Sequence, residues 1–298
     1  MSKLNPKPYT PNPLIVIVGE TASGKSALAM ELAKRFNGEL ICADSWTVYK
    51  DFNIGTAKPT KLDRAEVPHH LLDVADPKHG FSAAVFQRLA LQAVNDINAR
   101  GKLPILVGGT GLYIDSILYD YSFLPPSDSK LRTELNVMSL EALLEKTDDM
   151  GLDTSGIDLR NKRRVIRLIE NNGVRPTKKP LRKNTLIIGV KRPLEELRGR
   201  ITARIDVMVD DDFPGEVDSL MHKYGRDIEA MRAPGYRAFA DYVDGTISLE
   251  AAKERFRQND LKLAKKQRTW FKRNSSIQWV EKQIEAVELT TTFLNKKQ

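Results

Sequence analysis

The sequence predicts an α/β fold: a parallel sheet flanked by helices, with a small helical insertion. Three observations predict it. Leu14 to Val18 is a continuous, mostly β-branched apolar run of the kind that forms a buried strand. Gly19-Glu-Thr-Ala-Ser-Gly-Lys-Ser26 follows at once and matches G-x-x-x-x-G-K-S, and Ala27 to Ala33 then reads as a helix. Further apolar runs, alternating with helical patterns, supply the rest of the sheet. Strand, glycine loop and helix together make a phosphate cradle of the P-loop NTPase-like type. Gly19 and Gly24 let backbone N–H groups turn inward, the helix start adds positive dipole, and Lys25 supplies a point charge. Ser26 is placed to hold magnesium. The motif does not say whose phosphate is held.

A second strand is expected at Glu39-Leu-Ile-Cys-Ala-Asp44. Asp44 stands at its carboxyl end, the edge at which open parallel sheets bind ligands. It can orient a metal, cap a turn, or act as a general base on a nucleophile brought to the phosphates. Val67-Pro-His-His-Leu-Leu-Asp73 carries adjacent histidines with no further ligands for a metal, so loop positioning or core hydrogen bonding is the better reading. Phe81 to Arg100 reads as a crossover helix with Phe86, Leu89, Ala90, Ala93, Val94 and Ile97 on one face. The next strand, Leu103 to Val107, ends in Gly108-Gly-Thr-Gly-Leu-Tyr113 and carries no acid. A P-loop ATPase places a Walker B aspartate there, so a motor or switch is disfavoured. A kinase-like transferase remains, as does an enzyme that grips a diphosphate leaving group.

The 298 residues are 41% hydrophobic, enough for one good core and a smaller second one. Cys42 is the only cysteine, which excludes a disulfide framework and fits a reducing cytoplasm. No apolar run reaches the length of a membrane span. Residues 1–13 read as a flexible, proline-containing tail rather than a signal peptide. The formal charge of +8 is concentrated in two segments. Arg160 to Lys183 has ten basic residues against Glu170 alone, and Ala251 to the end carries a balance of +7. Such placement suggests a polyanion, solvated helix faces being the plainer alternative. A helix from about Leu159 to Glu170 puts Arg160, Arg163, Arg164 and Arg167 on one side and Val165, Ile166 and Ile169 away from it. From Ser248, a plausible N-cap, a long helix runs to about Arg273, with Leu249, Phe256, Leu263 and Trp270 as its apolar stripe.

Several segments together resemble the tRNA dimethylallyltransferases, also called tRNA isopentenyltransferases, of bacterial type. They are the phosphate loop, Asp44-Ser-Trp-Thr-Val-Tyr49, Ile54-Gly-Thr-Ala-Lys-Pro59, the H-H-L-x-D and G-G-T-G-L-Y runs, and Asn161, Arg164, Arg167 and Glu170 of N-x-x-R-x-x-R-x-x-E. Gly235-Tyr236 and Ala264-Lys-Lys-Gln-Arg-Thr-Trp270 complete the set. The resemblance spans about residues 14 to 280, and order and spacing make it specific. It implies transfer of a dimethylallyl group from dimethylallyl diphosphate to the exocyclic N6 amine of the adenosine just 3′ of a tRNA anticodon, with magnesium as cofactor. By analogy Asp44 is the general base, and Thr110 bonds a diphosphate oxygen beside the allylic carbon. Gly19, Thr21, Ala22, Ser23, Gly24, Lys25, Ser26 and Arg204 hold the diphosphate, Arg200 being a rival for Arg204 on the same helical face. Asp44, Ser45, Trp46, Thr47, Arg132, Arg163, Arg164, Arg167, Lys266 and Gln267 face tRNA. Glu20 stands where the family has proline, bringing a negative charge near the diphosphate unless its side chain turns to solvent. Trp46 and Thr47 also depart from the family pattern.

Other readings are an adenylate isopentenyltransferase, a P-loop small-molecule kinase, and a non-catalytic nucleic-acid module. The expected organisation is a tail (1–13), a P-loop catalytic core (14–124), a tRNA-contacting helical insertion (125–172), a return to the core with C-terminal helices (173–280) and a C-terminal tail (281–298). The expected protein is a cytoplasmic monomer.

Overall fold

The computed structural model describes residues 12–125 and 128–296. Most of the expected N-terminal tail and the last two residues of the chain lie outside it. Contacts divide the chain into one unit of Met1–Leu118 with Leu181–Gln298, and a second of Tyr119–Pro180.

The first unit begins with β1 (Leu14–Gly19), α1 (Lys25–Arg35), β2 (Gly38–Ala43), α2 (Lys61–Glu66) and β3 (His69–His70). It continues with α3 (Ala83–Ala99), β4 (Leu103–Gly108) and α4 (Gly111–Leu118). The second unit holds α5 (Ser129–Val137), α6 (Leu140–Asp149) and α7 (Lys162–Glu170). The chain then returns with β5 (Thr185–Val190), α8 (Leu194–Asp210), α9 (Phe213–Tyr224), α10 (Pro234–Val243), α11 (Leu249–Phe271), β6 (Gln278–Val280) and α12 (Gln283–Asn295).

The six strands form one parallel sheet in the order β3-β2-β4-β1-β5-β6. Strand β1 is central and wholly buried. Each of its large aliphatic side chains contributes about 1.5–3 kcal/mol by leaving water. One core joins sheet residues such as Ile15, Ile17 and Ile188 to Leu28 and Leu32 of α1 and to Ala286 and Val287 of α12. A second core is helical: Phe213, Tyr236, Phe239 and Phe256 pack with Val48, Tyr49 and Phe52 from the loop after β2. The crossover helix α3 begins at Ser82, whose hydroxyl accepts from the Val85 N–H, and buries Phe86, Ala90, Ala93, Val94 and Ile97.

The register sets Val18, Ala43, Gly108 and Gly189 level near the carboxyl edge of the sheet, with Gly19 and Val190 paired one residue further on. Asp44, after β2, and the phosphate loop, after β1, therefore leave the same edge of the sheet with β4 between them.

The described part of the segment expected as a C-terminal tail is instead helix α12 with buried Ala286, Val287 and Thr290. Its apolar stripe is diluted by threonines, which hides the period. In the second unit Leu135, Leu143, Val165, Ile166 and Ile169 form a small core. Its ends pair with each other: the Ser122 N–H donates to Thr177 O at 2.9 Å and the Lys179 N–H to Tyr119 O at 2.6 Å. That pairing draws the unit's limits at Tyr119 and Pro180 rather than at the expected 125 and 172.

Candidate active site

The phosphate loop holds two left-handed residues, Ala22 (φ 62°) and Gly24 (φ 94°). Gly24 meets the turn without strain, and α1 starts directly after it. Outside the loop, α8 braces the backbone: Arg200 Nε donates to Ala22 O at 2.7 Å, and Arg192, just before α8, donates from Nε to Ser23 O at 3.2 Å. Arg204, one turn beyond Arg200, donates from Nη2 to Thr21 Oγ1 at 3.0 Å and also to Asp260 of α11. The two arginines thus separate, Arg200 serving the outside of the loop and Arg204 its cavity.

Thr21, Lys25, Ser26, Asp44, Thr47 and Arg204 line one cavity of about 520 Å³. Its apolar floor includes Leu40, Cys42 and Val107. Burial pushes the Lys25 ammonium down to about 8, against the raising effect of Asp44. Its Nζ donates to Glu20 O at 3.1 Å. Burial likewise pushes the Cys42 thiol up to about 12, so it is an inert wall. A smaller cavity is lined by Thr21, Asp44, Trp46, Arg204, Phe256 and Asp260, among others. Asp44, Thr21 and Arg204 belong to both.

Asp44 Oδ1 accepts from the backbone N–H of Trp46 at 2.8 Å and of Thr47 at 3.4 Å. This turn fixes the carboxylate, and among the described residues no hydrogen bond engages Oδ2. Thr110, after β4, accepts from the Ser45 N–H at 3.0 Å and donates to Ser45 Oγ at 3.4 Å. It ties the loop after β4 to the one carrying Asp44.

Among the described residues no cluster of three or more His, Cys, Asp or Glu could hold a metal unaided. A hydroxyl at the cavity wall, Ser26, suits a hard cation that keeps its waters and takes its remaining ligands from phosphate.

Gln267 does not face outward as expected of a tRNA contact. It is buried, its Oε1 accepting from the Thr21 N–H at 2.8 Å and its Nε2 donating to Gly109 O at 3.1 Å. A side chain at Gly109 would meet Gln267 and one at Gly111 would meet Trp270, which explains why the G-G-T-G run and the Q-x-T-W run occur together. Lys266 is exposed. The side chain of Glu20 is buried and paired with Arg268, so it does not turn to solvent. The buried face of α11 carries Ala252, Phe256, Asp260, Ala264, Gln267 and Phe271. Of the expected stripe only Phe256 is on it, and Asp260 and Gln267 look like surface residues in any hydrophobic pattern.

Glu216 of α9 also escaped sequence reasoning. Its carboxylate accepts from the N–H groups of Asn53, Ile54 and Gly55 and from the Tyr236 hydroxyl, holding the loop that opens the I-G-T-A-K-P run. Lys58 of that run is buried on Asp73 and on Tyr49 O, both at 2.7 Å. The adjacent histidines do structural work: His70 Nε2 lies 2.7 Å from Glu39 Oε2, and His69 Nδ1 lies 2.7 Å from Val67 O. Arg100, with Lys102 and His70, holds the Glu39 carboxyl down to about 2.

In the second unit Arg163 and Arg164 are exposed on α7, while Val165, Ile166, Leu168 and Ile169 are buried. Arg132 is paired with the buried carboxylate of Glu170, and Arg167 reaches the same group at 3.2 Å. These two arginines are therefore committed within the unit.

The sequence pattern described as IPP transferase matches residues 47–274. The chain belongs to the IPP transferase family. Among relatives of this family member, the tRNA dimethylallyltransferase of Anoxybacillus flavithermus is 40% identical over 279 residues, 90% of each chain. That of Bacillus subtilis is 37% identical over 289 residues, 91% of each. The solved full-length tRNA isopentenylpyrophosphate transferase of Bacillus halodurans superposes with a TM-score of 0.75 at 36% identity, covering 96% of this chain and 98% of its own. A eukaryotic dimethylallyltransferase acting on tRNA gives 0.77 at 26% identity, covering 91% of this chain and 74% of that one.

Proposed function

We propose that this IPP transferase moves a dimethylallyl group from dimethylallyl diphosphate to the N6 amine of the adenosine just 3′ of a tRNA anticodon. The observation that carries the reading is the meeting of Lys25, Ser26, Asp44 and Arg204 on one cavity with an apolar floor. The cationic rim suits a diphosphate, and Leu40, Cys42 and Val107 suit a five-carbon chain.

In the reaction the C–N bond forms as the C–O bond to diphosphate breaks, the bonding pair leaving with the phosphate oxygen. The N6 proton passes to Asp44 Oδ2. The amine shares its lone pair with the ring, so removing that proton as the bond forms lowers the barrier. Lys25, Arg204 and the loop N–H groups are aimed at the charge that grows on the leaving group. Ser26 would hold magnesium, which supplies further neutralisation of that charge when bound. Thr110 sets the Asp44 loop through Ser45, and its weak 3.4 Å bond is readily exchanged for one to a diphosphate oxygen. The adenosine leaves its stack to reach Asp44, with Trp46 and Phe256 lining its way.

The test is transfer of labelled dimethylallyl, with magnesium, to tRNA carrying an unmodified adenosine 3′ of the anticodon, beside AMP as competing acceptor. Label in tRNA alone is expected. Label in AMP moves the chain to adenylate prenylation, and label in neither overturns the proposal in favour of a kinase.

A further inference from the structure

Glu20 is the second residue of a loop built to collect anions, yet it is a carboxylate only 2% exposed. Its own carbonyl accepts from Lys25 Nζ and, at 3.2 Å, from the Ser23 N–H, so its position sets where the loop's lysine rests. Its Oε2 is buried with no hydrogen-bond partner among the described residues, and Arg268 of α11, which donates to Oε1, is its one ionic partner there. Arg268 also donates from Nη2 to Arg192 O at 2.9 Å, and Arg192 in turn holds Ser23 O. Glu20, Arg268, Arg192 and Ser23 thereby close a ring that grips the loop. Gln267, the preceding residue of α11, grips it at Thr21.

We propose that Arg268 is a positioning residue for the diphosphate site. It cancels the Glu20 charge behind the loop and fixes the backbone from which Lys25 is presented. The inference rests on the reading of this loop as the diphosphate cradle. Without Arg268 a buried negative charge stands uncompensated beside the incoming anion and competes with it for Lys25.

The experiment measures the Kd of inorganic diphosphate, with magnesium, by calorimetry, beside the Kd of tRNA and the melting temperature. Arg268→Leu is expected to weaken diphosphate binding by about tenfold or more and to leave tRNA binding unchanged. Arg268→Lys keeps the charge but not the second hydrogen bond, and falls between the two. The double variant Glu20→Gln/Arg268→Leu leaves no charge to cancel and returns to within about threefold of the parent. A pair that only holds the fold would lower the melting temperature and leave diphosphate Kd where it was. Unchanged Kd in Arg268→Leu, or a double variant as weak as the single, overturns the proposal. Should Arg268→Leu fail to fold, Arg268→Lys with parental Kd does the same. Lys25→Ala separates the two levels: if it binds diphosphate normally, the loop reading itself fails, whereas a loss there with no effect at Arg268 removes only this inference.

Discussion

Asp44 and Lys25 share one cavity but answer different measurements. Asp44 takes a proton only when the bond forms, so Asp44→Ala is expected to lower kcat by about 10²–10⁴-fold with the Kd for tRNA nearly unchanged. Full activity in that variant removes the general-base role. Lys25 acts as a charge, and burial places its titration at about 8. Only the protonated form attracts diphosphate, so kcat/KM for dimethylallyl diphosphate is high below about pH 8 and falls tenfold per pH unit above it. The bound anion raises the Lys25 pKa, so the corresponding fall in kcat comes at higher pH. Lys25→Arg stays charged throughout and should erase that limb from the profile; a limb that persists assigns the titration to another group.

Helix α7 divides its labour by face, and that division sets the next prediction. Arg163→Ala/Arg164→Ala truncates two exposed side chains. It should weaken tRNA binding and make the slope of log K against log salt shallower by about 1–2, with little change in melting temperature. Arg167→Ala should in addition lower the melting temperature, because it strips a partner from buried Glu170. An unaltered salt slope in the double variant places the tRNA contact elsewhere. This helix was legible in the sequence because its two faces differ in charge and apolarity, as was the unit of β1, loop and α1, where three local signals agree. Strands β3 and β6 span only two and three residues and show no period to read. β5 is a short apolar run between basic flanks, too brief to show a period. On α11 the sequence pattern found the helix and its N-cap but not its working face. Asp260, Gln267 and Arg268 act by partners 56, 246 and 248 residues away, and no local pattern encodes a partner.

At the scale of the molecule, the chain leaves the sheet-bearing unit at Leu118 and re-enters it at Leu181. The Arg182 N–H donates to Leu118 O at 2.7 Å, so the exit and the return are backbone neighbours within that unit. Residues Tyr119–Pro180 have their own small core and their own paired ends. A glycine-serine linker of about five residues, an ordinary loop length, closes this gap and adds little closure entropy. The variant lacking Tyr119–Pro180 is therefore expected to melt cooperatively and to bind inorganic diphosphate with magnesium within about threefold of the parent, since Lys25, Ser26, Asp44 and Arg204 all lie outside the deletion. It should lose most of its tRNA affinity along with Arg163 and Arg164, and with it all transfer to tRNA. Loss of diphosphate binding in a variant that still melts cooperatively would mean that the insertion completes the phosphate site, and the assignment of that site to the larger unit alone would fall.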